Sequence, residues 1–241
     1  MTAALETIGL SKRFGALRVA NDIHFGLEPG ARRALIGPNG AGKTTFVNLL
    51  TGRISPDGGR VLLRGDDVTR VREAARARRG LARTFQINNL FPVLSALENV
   101  RLAVAEHRGL LRPRRALLEE AYAILARLGL GNDAATVAGQ LPYGKQRLVE
   151  IAIALAAEPS VLLLDEPAAG VPRGEAGLVL DVIEQLPTDM AVLMIEHDMG
   201  LVFRFARRIT VLVHGSILVE GAPDEIAADP RVREVYLGGH A

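Results

Sequence analysis

An α/β fold with a parallel sheet, a β-rich opening segment and an inserted helical segment is what this 241-residue sequence predicts. Three observations carry it. The first 68 residues hold short β runs and turns, a helical pattern fills the stretch between Gln86 and Leu141, and beyond Pro159 buried-strand runs alternate with helices. Taken in order, LETIGL, VANDIHFGL and the apolar run ALIG are strands, and GGRVLLRGDDV follows the turn signals Pro56, Gly58 and Gly59. From Arg70 to Arg83 the chain sets Arg70, Arg72, Arg76, Arg78, Arg79 and Arg83 against the single acid Glu73, the pattern of a solvated helix face. Leu117, Leu118, Ala121, Leu125 and Leu128 are spaced for one apolar helix face that Gly129 stops. A further helix runs from Gly144 through Leu148, Ile151, Ala152 and Leu155, and should end at Glu158 because Pro159 disfavours helical backbone in its predecessor. VLLLD is a buried strand, Glu175 to Leu186 a helix closed by Pro187, and AVLMIE another buried strand. ITVLV and SILVEG form a hairpin around His214 and Gly215, before a helical tail containing Asp229 and Tyr236.

Composition narrows the function classes. Hydrophobic residues make up 49% of the chain, yet the longest apolar run, Ile151 to Ala157, is seven residues, against roughly 20 for a membrane-spanning helix. The start MTAALETIGLSK lacks the basic and apolar segments of a secretory signal, so a cytoplasmic location is expected. With no Cys, disulfides, thiolate metal sites and thiol catalysis are excluded. A net charge of +2 gives no electrostatic argument for nucleic acid. Of the 29 basic residues all but Lys12, Lys43 and Lys145 are arginine, which makes the position of each lysine informative.

Gly37, Pro38, Asn39, Gly40, Ala41, Gly42, Lys43 and Thr44 spell GPNGAGKT, a phosphate-binding loop between an apolar strand and the apolar helix FVNLL. Gly40 and Gly42 permit backbone angles and close approach barred to other residues, so that N–H groups converge on phosphate oxygens at a helix N-terminus. Lys43 would reach the terminal phosphates and Thr44 would bind Mg²⁺ through its hydroxyl. A triphosphate site also needs a second metal contact and a group that deprotonates water. Asp165, ending the apolar strand VLLLD, suits the first and adjacent Glu166 the second.

At this point the chain resembles the ATP-binding subunits of ABC transporters, from Phe14 to Tyr236, Leu237 and Gly238. Gln86 in RTFQ matches the glutamine that in the family contacts Mg²⁺ and the γ-phosphate, and His197 in IEHDM matches the switch histidine on the γ-phosphate. LPYGKQR resembles the signature that reaches the nucleotide of a facing subunit, bringing Leu141, Pro142, Tyr143, Gly144 and Lys145 into the nucleotide set together with Thr45 of the phosphate loop. Phe14 in SKRFG matches the aromatic that stacks on adenine, although an aromatic there taken alone would belong to the core. The resemblance implies a P-loop ATPase fold with an N-terminal antiparallel β subdomain and an inserted α-helical subdomain. It implies one domain over 1–241, in which 1–86 and 159–241 form the RecA-like core plus the β subdomain and 87–158 the helical subdomain with the signature.

Three departures stand out. Pro142 replaces the usual signature Ser, so a hydroxyl contact to phosphate is lost while backbone N–H groups near Gly144 and the helix dipole remain. Lys145 replaces a Gln and either adds charge near phosphate or faces solvent. Pro172 stands where an Asp or Asn is usual. RTFQINNLFPVLSALENV, the pairing of EPAAG with IEHDM, and the ending VYLGG look like branched-chain amino-acid importers, a pattern that urea and amide importers share. The resemblance implies ATP and Mg²⁺ and permease partners that hold the chain on the inner face of the membrane. It also implies a homodimer or a heterodimer with a paralogous ATPase, and an indirect link to a periplasmic binding protein. Ile87 to Leu97 is either a groove for a permease helix or core. Two readings from other classes are a soluble ABC ATPase acting on nucleic acid and a regulatory ATP-binding module without turnover.

Overall fold

A computed structural model describes residues 2–84, 90–109 and 111–237. In chain order the elements are β1 (Leu5–Phe14), β2 (Leu17–Leu27), β3 (Arg32–Ile36), α1 (Lys43–Thr51), β4 (Gly58–Leu63), β5 (Asp66–Asp67), α2 (Glu73–Arg78), β6 (Leu81–Arg83) and α3 (Ala96–Arg108). There follow α4 (Arg114–Arg127), α5 (Tyr143–Leu155), β7 (Val161–Asp165), α6 (Arg173–Glu184), β8 (Ala191–Ile195) and α7 (Met199–Phe205). The chain closes with β9 (Arg208–Val213), β10 (Ser216–Gly221), α8 (Pro223–Ala228) and α9 (Pro230–Leu237). They fall into two compact units, Met1–Arg76 with Thr188–Ala241, and Ala77–Pro187.

In the first unit β1 pairs antiparallel with both β2 and β4, the antiparallel opening that the family resemblance implies. A second sheet runs β3 parallel to β8 and to β9, with β10 closing it antiparallel. β3 and β8 are buried at every position, which is why they read as continuous apolar runs. The β9–β10 turn takes His214 and Gly215 at φ +48° and +76°, the left-handed pair that a two-residue hairpin requires. The helical tail is two helices, parted at Asp229 before Pro230.

The second unit pairs β6 parallel to β7 and packs α3, α4, α5 and α6. Leu117, Ala121, Leu125 and Leu128 are buried as the spacing of α4 predicts, and Gly129 follows at φ +76°. Two helix ends differ from expectation. α5 stops at Leu155, and Glu158 turns left-handed at φ +47°, because the restriction imposed by Pro159 is met by leaving the helix before Glu158 rather than at it. α6 starts at Arg173 behind an N-cap proline, Pro172, and ends at Glu184, clear of Pro187.

The arginine stretch also needs correcting. Arg70, Arg72, Arg78 and Arg79 are exposed, but Arg76 is 1% exposed and the Arg83 side chain 7%. A spacing argument sees a run of like charges; it cannot see that carbonyls and a carboxylate wait for two of them.

Candidate functional site

The phosphate loop occupies the connection from β3 to α1, both in the first unit. Its glycines are there for space. A Cβ on Gly37 would lie 2.1 Å from the Leu212 carbonyl oxygen, and one on Gly42 would lie 2.5 Å from that of Val19, with Gly42 at φ +102°. At Gly40, φ +78°, a Cβ would meet nothing within 4 Å, so this residue is conformational and lies on the open side of the loop. Gly42 caps α1 without a side-chain acceptor and the first turn carries no acid, so the positive end of the helix is not answered by a carboxylate of its own. Lys43 Nζ donates to the carbonyls of Gly37 at 2.5 Å and Pro38 at 3.0 Å, folding the ammonium back over the loop. Thr44 is exposed and Thr45 half-buried. Uncapped N–H groups, an open glycine and an ammonium form a phosphate cradle.

His197 leaves the same sheet edge. Leu35 of β3 lies opposite Ile195 of β8 in parallel register, so the loop after Ile36 and the turn holding His197 both leave carboxyl ends of neighbouring strands. The imidazole is 68% exposed, and its segment is tethered from below. Buried Glu196 accepts from the His197 N–H at 3.0 Å and stands 3.7 Å from Nδ1, while Asp198 caps α7 by accepting from Gly200 and Leu201. Phe14, at the end of β1, is 51% exposed and not in the core. Lys12 Nζ sits 5.6 Å from the Phe14 ring centroid and is paired with Asp57 at 2.8 Å, an arrangement whose hydrogen bonds hold the Asp57 carboxyl below the usual range.

In the second unit, Asp165 ends the fully buried strand β7. Its carboxylate meets the Arg83 guanidinium of β6 at 2.5 Å, with both side chains almost entirely buried, and Thr84 Oγ1 accepts from the Asp165 N–H. The guanidinium neutralises this buried carboxylate, so a further cation at Asp165 would have to share it with Arg83 or displace that side chain. The Asp165 carboxylate is a hard oxygen donor of the kind that suits Mg²⁺, as is the Thr44 hydroxyl in the first unit. Glu166 is half-buried with φ +48°, a conformation that costs a non-glycine residue energy and that gathers at functional positions. Gln86 lies outside the described residues, as do Ile87, Asn88 and Asn89 of the segment once assigned to groove or core. In the rest of that segment Phe91 at 56% and Val93 at 81% are exposed, while Ala96 is buried.

The signature stretch opens α5, with Leu141 buried and Pro142 at the N-cap. One expectation changes here. The Gly144 N–H is not open: it donates to Glu175 Oε2 at 2.9 Å. Lys145 has a partner besides solvent, since Nζ is paired with Asp133 at 2.9 Å. Tyr143 packs its ring near Gly170 and under the Arg147 guanidinium, 5.8 Å from the ring centroid. Arg83, Glu175 and Glu196 are the residues that sequence reasoning missed. For Glu175 a signal existed, since a proline at the N-cap leaves a helix start in need of an outside acceptor; for Arg83 and Glu196 there was only the oddity of a charge against an apolar strand.

Residues 20–169 match the family described as ABC transporter, and residues 216–241 the one described as branched-chain amino acid ATP-binding cassette transporter. The chain is 39% identical over 250 residues to the high-affinity branched-chain amino acid transport ATP-binding protein BraF of Pseudomonas aeruginosa, with 97% of each covered. It is 40% identical over 250 residues to the protein of the same description, LivG, of Escherichia coli strain K12, again with 97% of each covered. Among solved structures, the ADP conformation of MJ1267, an ATP-binding cassette of an ABC transporter, gives a TM-score of 0.87 at 30% identity, covering 99% of this chain and 100% of that one. A nucleotide-free cassette from an ABC transporter gives 0.85 at 29% identity, covering 97% and 98%.

Proposed function

The chain belongs to the ABC transporter family of ATP-binding proteins, and from that premise we propose that it is the ATP-hydrolysing subunit driving a permease that imports a branched-chain amino acid. The observation that carries ATP binding is the β3–α1 loop, with Gly40 and Gly42 at positive φ, an N-terminus without a side-chain cap, and Lys43 folded over it. The substrate class rests on the BraF and LivG likeness and on the C-terminal match over residues 216–241. Among the described residues no helix is long and apolar enough to cross a membrane, so in this reading permease chains hold the subunit at the inner face.

In this reading the loop N–H groups and Lys43 bind the phosphates, Phe14 stacks on adenine and His197 hydrogen-bonds the γ-phosphate. Thr44, Gln86 and Asp165 would hold Mg²⁺, which would offset the negative charge of the phosphates. Glu166 orients a water and accepts its proton as the water oxygen bonds to the γ-phosphorus and the bond to the bridging oxygen of ADP breaks. Two copies, or one copy and a paralogue, close head to tail with each signature toward the other's nucleotide. ATP adds contacts that exist only in the closed pair, and hydrolysis removes them, so the pair opens and the permease resets.

Glu166→Gln is expected to keep ATP binding, abolish steady-state hydrolysis and accumulate an ATP-bound dimer, as read by equilibrium binding, phosphate release and sedimentation. Normal turnover in that variant removes Glu166 from its role as base. Lys43→Ala should weaken ATP binding at least tenfold, about 1.4 kcal/mol, and unchanged affinity contradicts the phosphate-loop assignment. Stimulation of turnover by DNA or RNA but not by a reconstituted permease would replace the transport reading with one on nucleic acid.

A further inference from the structure

Helix α5 begins without a cap of its own. Pro142 stands at the N-cap with φ −51° and ψ 148° and no side-chain hydrogen bond, where a Ser, Thr, Asp or Asn would accept the N–H of the second or third helical residue. Gly144, the second helical residue, instead donates its N–H to Oε2 of Glu175 at 2.9 Å, from 31 positions further on and in the first turn of α6. The fit depends on glycine, since a Cβ at Gly144 would lie 2.8 Å from that oxygen. Two cations of the same helix have carboxylates of their own: Lys145 is paired with Asp133 at 2.9 Å and Arg147 with Glu150 at 2.6 Å. The carboxylate of Glu175 faces the helix start, where a backbone N–H and the helix dipole act on its charge.

We propose that Glu175 is a positioning residue that closes the start of the signature helix with its own carboxylate and competes there with the terminal phosphate of a nucleotide held by the facing ATP-binding chain. This rests on the transporter reading, in which the signature meets that nucleotide. One N–H has a single hydrogen to donate, so the carboxylate and a phosphate oxygen exclude each other, and two anions at one helix start repel. A serine at position 142 would offer a neutral hydroxyl able to cap the helix and donate to phosphate. The combination of Pro142 with Glu175 substitutes a negative charge that must swing away before the pair can close. Closure is thereby set to a higher ATP concentration than the phosphate loop alone would dictate.

The test is ATP-dependent dimerisation of the Glu166→Gln chain, alone and mixed with the second ATP-binding chain of its transporter, followed by sedimentation velocity across an ATP titration. Adding Glu175→Gln keeps a carbonyl acceptor for the Gly144 N–H and removes the charge. The ATP concentration for half-maximal dimer should fall by about tenfold with little change in Tm. Adding Glu175→Ala removes the cap, so Tm should fall while closure still becomes easier. A purely structural role moves that midpoint upward in the alanine variant and leaves it in place in the glutamine variant, and either result overturns the proposal. If the Glu166→Gln parent dimerises in neither mixture, the transporter reading fails and the inference with it.

Discussion

Arg76 donates to four main-chain carbonyls, those of Leu49, Leu50, Thr69 and Val71, at 2.6 to 2.9 Å, and is 1% exposed. Burial pulls its guanidinium down to about 10, which leaves it protonated at neutral pH. Two carbonyls of the last turn of α1, those of Leu49 and Leu50, thus accept from this side chain, while that of Asn48 is served by the Ile54 N–H and the Thr51 hydroxyl. Gly52 makes room for it, since a Cβ there would lie 2.6 Å from Arg76 Nε. Arg76→Met, which fills a similar volume, strands those carbonyls and is expected to cost about 3 kcal/mol or more, read as a lower urea midpoint. Nothing in the spacing of six arginines distinguished this one, because the acceptors lie up to 27 positions away. Lys43, by contrast, was legible at once, since the loop that gives it meaning is contiguous with it.

At the scale of the element, periodicity located the helices and strands, while capping and proline fixed their ends. Ser95 caps α3 by accepting the Glu98 N–H at 3.1 Å, and buried Asn99 one turn on ties the preceding segment down through the N–H and carbonyl of Phe91. Ser95→Ala should lower stability by about 1 kcal/mol in chemical denaturation. The apolar face of α4 and the buried strands β7 and β8 followed their patterns because burial on one face or on both leaves a period in the sequence. The ends of α5 and α6 did not, because a proline restricts its neighbourhood without dictating at which residue the helix yields.

For the molecule as a whole, the α/β class, the β-rich opening and the phosphate loop could be read from local runs. The partners of Asp165 and Gly144 could not, since Arg83 and Glu175 reach them across 82 and 31 positions. The surface beyond Leu90 gives the transport reading a test at this scale. Phe91 and Val93 are exposed apolar side chains, and in this reading they face a permease. Replacing both with Ser should leave Tm within a few degrees and reduce co-purification with the permease chains; undiminished co-purification removes this surface from the docking face. The lysines carry one more consequence, for chemical labelling. Lys12 is engaged by Asp57, Lys145 by Asp133, and Lys43 by the carbonyls of its own loop. An acyl-phosphate analogue of ATP transfers its label to an amine beside the phosphates, and with only three side-chain amines in the chain the modified peptide identifies by mass alone which of them the triphosphate reached.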